Sequence, residues 1–348
     1  MRCVRRVAVT LIACLALASP SPGRAQQLVT IRMGITTSAT DAPLWIADRL
    51  GYFRDEGLRV EFLPFRSGET MLAPLSAGQL DVAGGAPAAS LYNAVARGLD
   101  VRLVADLGSD PPGYGYDHLL VRSDLVKSGR FKTIKDLKGM TIASVARGST
   151  AAPLLAHLLA KAGLRLADVK REYLGFPEHV VALRNHAVDA AMTIEPFATY
   201  ATQDGSAVKV MGNDEFYPNQ EISVVMYGGT FVRNHRDLGV KFMRAYIRGV
   251  RYYNDALANG AIAGANADAV IAILADETKS KDPSIFRKIT PTGVNPDGHV
   301  RLDSLRDDLA FFTSAGLIEG TVTVDQVVDD SFANEAVKQL GPYKPQRR

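Results

Sequence analysis

The chain has 348 residues, 47% of them hydrophobic, with 40 Lys and Arg against 37 Asp and Glu. That is enough material for two domains or two lobes, and no charge excess of the kind that polyanion partners need. Four of the basic residues, Arg2, Arg5, Arg6 and Arg24, fall in the first 25 positions, so the rest carries 40 − 4 = 36 basic residues against 37 acidic. Both cysteines, Cys3 and Cys14, lie there too, which leaves no disulfide, thiol nucleophile or cysteine metal site beyond residue 25.

Residues 1–25 read as a secretory signal: a basic start, an apolar core over residues 7–18 too short to span a bilayer, and small residues around Gly23-Arg24-Ala25. A lipobox-like Leu11-Ile12-Ala13-Cys14 offers a lipid anchor as the lesser alternative. The expected product is an exported, periplasmic protein beginning at Gln26.

Residues 29–35 alternate as a first strand, and the polar loop 36–41 leads through Pro43 into a helix bearing Leu44, Trp45, Ile46 and Leu50. Trp45 reads as core, because its neighbours are apolar. Residues 58–65 form a second strand, and Arg66-Ser67-Gly68-Glu69 opens a helix running to Leu75. A short strand over residues 79–87 ends in Gly84-Gly85, where missing side chains permit a sharp turn or close approach to a ligand. A helix over residues 88–98 and a strand over 101–107 follow, then a loop, 108–116, too rich in Gly and Pro for regular structure.

A second alternating set follows the extended residues 118–121 and the short helix 133–138. Its strands are 140–147, 169–174, 187–193 and 207–211, its helices 151–163, 178–186 and 196–203, and residues 222–227 form a second connecting strand. From Asp237 onward the pattern is helical. The fold class is therefore α/β, with two lobes that each hold a mainly parallel sheet flanked by helices and that are joined by two crossover strands. The expected boundaries are a signal at 1–25, one lobe from 26–117 with 228–348, and the other from 118–227. Bending between the lobes is expected in residues 118–121 and 222–227.

Ligands in open α/β sheets bind beyond the carboxyl ends of the strands. The loops there carry Ser38, Asp41, Ser67, Gly68, Gly84, Gly85, Ser109, Tyr114, Tyr116, Gly148, Ser149, Thr150 and Glu195. Gly148-Ser149-Thr150 stops an apolar strand and starts a helix with Leu154, Leu155, Leu158 and Leu159 on one face, so backbone N–H groups and a dipole favour an anion there. The plainer alternative is that Ser149 or Thr150 only caps the helix. On the anion reading, Ser149→Ala weakens binding; on the capping reading it lowers stability.

Catalytic signatures are missing: there is no G-x-S-x-G, P-loop or G-x-G-x-x-G after a strand. The six histidines show no metal-ligand spacing, and Glu195 has no nucleophile beside it in sequence. No catalytic residue, metal or cofactor is expected.

Six segments carry a family resemblance: Asp41-Ala-Pro-Leu-Trp-Ile-Ala47, Gly51-Tyr-Phe-Arg-Asp-Glu-Gly-Leu58, Ala77-Gly-Gln-Leu-Asp-Val82, Asp136-Leu-Lys-Gly-Met-Thr-Ile142, Gly148-Ser149 and Glu195-Pro-Phe197. In this order the chain resembles the NitT/TauT (nitrate/sulfonate/taurine; SsuA/Thi5-like) substrate-binding proteins of ABC transporters. The resemblance implies a periplasmic-binding-protein fold of type II, a small-molecule ligand held in the interlobe cleft, and delivery to an ABC permease and its ATPase by a monomer with no nucleic-acid partner. Ser38, Asp41, Ser67, Gly68, Gly84, Gly85, the Gly148–Thr150 helix start and Glu195 would be its ligand positions. Ile194 stands where many members carry Trp, which leaves sulfonate, carboxylate and pyrimidine-like solutes all open. Two other classes compete. A Thi5-like pyrimidine-precursor enzyme shares the fold but is cytosolic with a cysteine-rich motif, and a LysR-type sensor lobe would need a DNA-binding helix pair before Ile31.

Overall fold

A computed structural model describes residues 27–346. The expected signal segment, with Cys3 and Cys14, lies outside the described residues.

The first half of the chain alternates β1 (Val29–Ile35), α1 (Ala42–Arg49), α2 (Tyr52–Asp55), β2 (Leu58–Pro64), α3 (Glu69–Ser76), β3 (Val82–Gly85), α4 (Ala89–Ala96) and β4 (Val101–Ser109). Next come β5 (Asp117–Arg122), α5 (Ser123–Lys127), β6 (Thr141–Ser144), α6 (Ala151–Lys161), β7 (Lys170–Tyr173), α7 (Phe176–Arg184), β8 (Ala190–Ile194), α8 (Phe197–Gln203) and β9 (Ala207–Gly212). After β10 (Glu221–Gly228) the chain is mostly helical, with α9 (Gly229–Asn234), α10 (Arg236–Asp255), α11 (Ala267–Glu277), α12 (Leu302–Ser314), α13 (Val324–Val327) and α14 (Ser331–Leu340), and a short antiparallel hairpin, Leu257–Ala258 with Ala261–Ile262, between α10 and α11.

Strands β1 to β10 make two five-stranded sheets, β2-β1-β3-β10-β4 and β7-β6-β8-β5-β9. Within each, one strand runs against its neighbours: β10 is antiparallel to β3 and β4, and β5 to β8 and β9. The reason is geometric. β4 ends at the carboxyl edge of the first sheet, so a short connection delivers the chain to the facing edge of the second, and β5 must run away from it. The same holds for β10 on the return. Both crossings therefore occur where the parallel strands end, and the start of β5 pairs Asp117 with Ile194 at the end of β8.

This changes the expected hinge. Residues 118–121 and 222–227 lie inside β5 and β10, each paired on both sides. The segments between the sheets are 110–116 and 213–220. Residues 221–227 accordingly belong with the first sheet, and the boundary expected at 228 moves to before Glu221.

Both faces of each sheet are covered, as the apolar runs require. Along β10, Val225 and Tyr227 face one core while Val224 and Met226 face the other; along β5, Leu119 and Val121 oppose Leu120 in the same way. Trp45 lies in the first of these cores, 2% exposed. The helix α10 crosses α1 at Gly249, where an added Cβ would lie 2.3 Å from the Pro43 carbonyl oxygen. Gly→Ala in a helix gains about 1 kcal/mol of propensity, but overpacking against backbone costs about 1–3 kcal/mol. Gly249→Ala is thus expected to destabilise, read as a lowered urea midpoint with an unchanged slope.

Candidate functional site

The first sheet contributes loops after β1, β2 and β3. Ser38 N–H donates to Asp41 Oδ2 (3.0 Å), and the Ser38 hydroxyl shares hydrogen bonds with Thr36 (3.1 Å) and Thr40 (2.7 Å). Asp41 is fully buried; burial pushes its carboxyl up to about 7 against the opposing pull of the Ser38, Thr37 and Thr36 N–H groups, and its Oδ1 has no hydrogen-bond partner among the described residues. Gly68 and Gly85 bring the next two loops together, since a Cβ on Gly85 would stand 2.7 Å from Gly68 Cα. Gly84 is similarly closed in by Leu107. Ser67 Oγ donates to Glu69 Oε2 (2.7 Å).

Two expected contacts are tied into the frame. Ser109 is buried, donating from Oγ to Asp106 Oδ2 (2.8 Å) and from N to the Gly293 carbonyl (2.9 Å). Tyr116 is 3% exposed; its N–H donates to Asp110 Oδ1 and its carbonyl accepts from Glu195 N–H. Tyr114 is half-buried on the first connection.

On the second sheet, α6 is seated by Leu154, Leu155, Leu158 and Leu159, all in the core. Ser149 Oγ donates to the Ala146 carbonyl (2.9 Å), and no side chain caps the helix. Neither hydroxyl is therefore the helix cap. The backbone N–H groups of Thr150 and Ala151 donate to no acceptor among the described residues. Meanwhile the Gly148 carbonyl accepts from Ala89 N–H (3.0 Å), the first residue of α4, and a Cβ on Gly148 would lie 3.2 Å from Ala89 Cβ. Two helix N-termini from opposite sheets thus converge on one place, each presenting the positive end of its dipole. Ser90 Oγ, in the first turn of α4, is buried with no hydrogen-bond partner among the described residues.

Glu195, at the end of β8, is completely buried. Burial alone would raise its pKa, but the neighbouring His118 ring and then the Lys209 ammonium hold the carboxyl down at about 2. Its oxygens receive Lys209 Nζ, Thr199 N–H (3.0 Å) and Thr290 N–H (3.4 Å), with His118 Nε2 at 3.2 Å. It is an ionised anchor whose oxygens already have donors, and through Thr290 it reaches the first lobe.

Sequence reasoning missed the loop at Thr290-Pro-Thr-Gly293, which bridges to Ser109 and touches Glu195. Its turn-forming composition was the available signal. Gln220 was missed too; its Nε2 donates to the Thr150 carbonyl (2.9 Å) and to Asp308 Oδ2 of α12 (3.2 Å), tying α6 to the first lobe. Among the described residues no group of three or more His, Cys, Asp or Glu side chains is placed to hold a metal ion.

Two facing α/β sheets, joined at their carboxyl edges by two connections, define a two-lobed binding-protein architecture. The profile of the family described as NMT1/THI5 like matches residues 39–257, and the chain belongs to that family. A Bacillus subtilis (strain 168) protein named for aliphatic sulfonate binding is 28% identical over 329 residues, 92% of each chain. Among solved structures, the alkanesulfonate-binding protein SsuA of Xanthomonas axonopodis pv. citri, bound to MOPS, has a TM-score of 0.67 at 21% identity, covering 87% of this chain and 99% of that one. The periplasmic nitrate-binding protein NrtA of Synechocystis PCC 6803 has a TM-score of 0.71 at 13% identity, covering 90% and 89%. Both likenesses bear on the fold. No helix among the described residues is long and apolar enough to cross a membrane.

Proposed function

We propose that this protein is the extracytoplasmic solute-binding component of an ABC importer, taking a small organic anion between its lobes and delivering it to a membrane permease and its ATPase. The observation that carries the reading is the meeting of the α4 and α6 N-termini at Gly148 and Ala89, with the Thr150 and Ala151 N–H groups free to receive acidic oxygens. The names of the relatives support sulfonate first, with carboxylate and pyrimidine-like solutes behind it. They also favour a binder over a pyrimidine-precursor enzyme, since each is named for what it binds. On this reading the working form is a periplasmic monomer with no nucleic-acid partner; the near-neutral charge balance beyond residue 25 supports the last of these.

Backbone rather than hydroxyl donors hold the anion in this reading, because the Ser149 hydroxyl is spent on Ala146. Ser149→Ala is expected to leave affinity within about threefold, as one modest neutral hydrogen bond is at stake; a hundredfold loss by calorimetry would return the hydroxyl to the binding role. The proposal itself is tested by thermal shift with alkanesulfonates, small carboxylates, nitrate and aminopyrimidines. A bound solute at 100 times its Kd stabilises by about 2.7 kcal/mol. The expected result is a raised Tm for the sulfonates, and no shift with any anion would sink it.

A further inference from the structure

The helix α12 grips the second connection with a single carboxylate. Asp308 is completely buried, and each of its oxygens accepts from a residue of that connection: Oδ1 from the Tyr217 hydroxyl (2.9 Å) and Oδ2 from Gln220 Nε2 (3.2 Å). One turn earlier on α12, the Ser304 hydroxyl accepts from Glu221 N–H (2.8 Å). Leu305, Leu309 and Phe312 set α12 into a core of the first lobe, so the carboxylate stands on a fixed frame. Both connection residues also touch α6. The Gln220 amide nitrogen carries two hydrogens, and it donates to the Thr150 carbonyl (2.9 Å) as well as to Asp308. The Tyr217 ring lies flat on the His157 ring, with centroids 4.0 Å apart and planes 11° from parallel. Residues 150 and 157 are about 10 Å apart along a helix that rises about 1.5 Å per residue. Two holds that far apart fix the direction of the axis as well as the place where it starts, and both end on Asp308.

The Thr150 carbonyl matters because it shares a peptide plane with the Ala151 N–H. In a rigid trans peptide the two point in opposite directions. A hydrogen bond on the carbonyl therefore aims the N–H, which donates to no acceptor among the described residues, and polarises it as a donor. Gln220 is completely buried, and its Oε1 has no hydrogen-bond partner among the described residues. An apolar side chain of the same size would fill the space without that unsatisfied oxygen. What it could not do is link Asp308 to the leading peptide of α6.

We propose that Asp308 is a positioning residue for the anion seat: through Gln220 and Tyr217 it holds α6 so that the Ala151 N–H faces the solute, while touching no solute itself. The inference rests on the anion-binding reading above. Asp308 belongs to the first lobe, Gln220 and Tyr217 to a connection, and the donor to the second lobe, so the seat is complete only when all three are in register.

Calorimetric titration with ethanesulfonate, with urea midpoints measured alongside, tests this. Asp308→Ala is expected to weaken binding about tenfold. Asp308→Asn, whose amide can accept from Gln220 and donate to the Tyr217 oxygen, should stay within about threefold of wild type. Gln220→Ala should cost about tenfold in the wild type and less than about threefold once Asp308 is Ala, because the two act in series. An equal cost in both backgrounds overturns the proposal, and so does an Asp308→Ala protein that is less stable yet binds with wild-type affinity, as a merely structural role requires. Amide hydrogen exchange of the unliganded Gln220→Ala protein reads the same hold without solute: protection should fall over the first turn of α6 and stay over its last. An unchanged first turn overturns the proposal even where Asp308→Ala does not fold. A wild type that binds no ethanesulfonate while Gln220→Ala loosens that turn sinks the anion seat and the proposal with it; a wild type that binds it while the turn is unaltered sinks the hold alone and leaves the binding function standing.

Discussion

Replacing Glu195 by Ala is expected to destabilise the protein by about 3–5 kcal/mol, the cost of breaking a buried ion pair by removing one partner. The carboxylate is the common acceptor for Lys209 Nζ, Thr199 N–H and Thr290 N–H, with His118 alongside. Without it Lys209 keeps only the Thr199 hydroxyl (3.0 Å) among these contacts, and the Thr199 amide is left buried without its acceptor. Urea unfolding at pH 7 should show the loss in full. The pH dependence follows from the depressed pKa: the contribution of Glu195 is present above the unfolded carboxyl range near 4.3 and disappears as pH falls through about 2. Wild type and variant should therefore converge in acid, and a gap that persists at pH 2 would assign the effect to lost packing. Because Thr290 belongs to the first lobe, solute affinity should fall as well.

Gly148→Leu is expected to change stability little and binding much more. Gly148 has an ordinary backbone conformation and only Ala89 Cβ near an added Cβ, at 3.2 Å across the lobes. Each lobe keeps its own core, so the melting point of the unliganded protein should stay within about 0.5 kcal/mol of wild type, as for surface substitutions away from special features. A leucine there would stand between the two helix N-termini, block their approach and fill the place of the anion. Affinity should drop at least a hundredfold, about 2.7 kcal/mol. Equal affinity with a normal melting point would remove the anion from this position.

Much of this was readable from the chain. Periodicity located β1 and α6 within two residues, and the helical character of the chain after Asp237, because each buries a continuous apolar face. The helix start at Gly148-Ser149-Thr150 was legible from the same pattern. What Ser149 does was not, since the choice between Ala146, the helix cap and a ligand depends on the turn adopted by residues 146–149. The direction of β5 and β10 was hidden for a similar reason: an apolar run fixes burial, while strand direction is set by which edge the chain leaves. That is why residues 118–121 and 222–227 were expected as hinge segments when they lie inside paired strands. Glu195 was visible as a strand-end carboxylate, but its partners come from β5, β9, α8 and the loop at Thr290, up to 95 residues distant. Gln220 and Asp110 escaped notice altogether, because polar residues in connections look alike until their partners are known.

The most direct test of the account is a calorimetric titration of the wild-type protein with a short-chain alkanesulfonate, set against the alcohol of equal chain length. Converging helix dipoles and free backbone N–H donors select negative charge, so the sulfonate should bind at one site per chain and the alcohol should give no saturable heat. Equal binding of the two, or no heat from the sulfonate, would contradict the assignment of the Gly148–Ala89 junction as the seat of an anion.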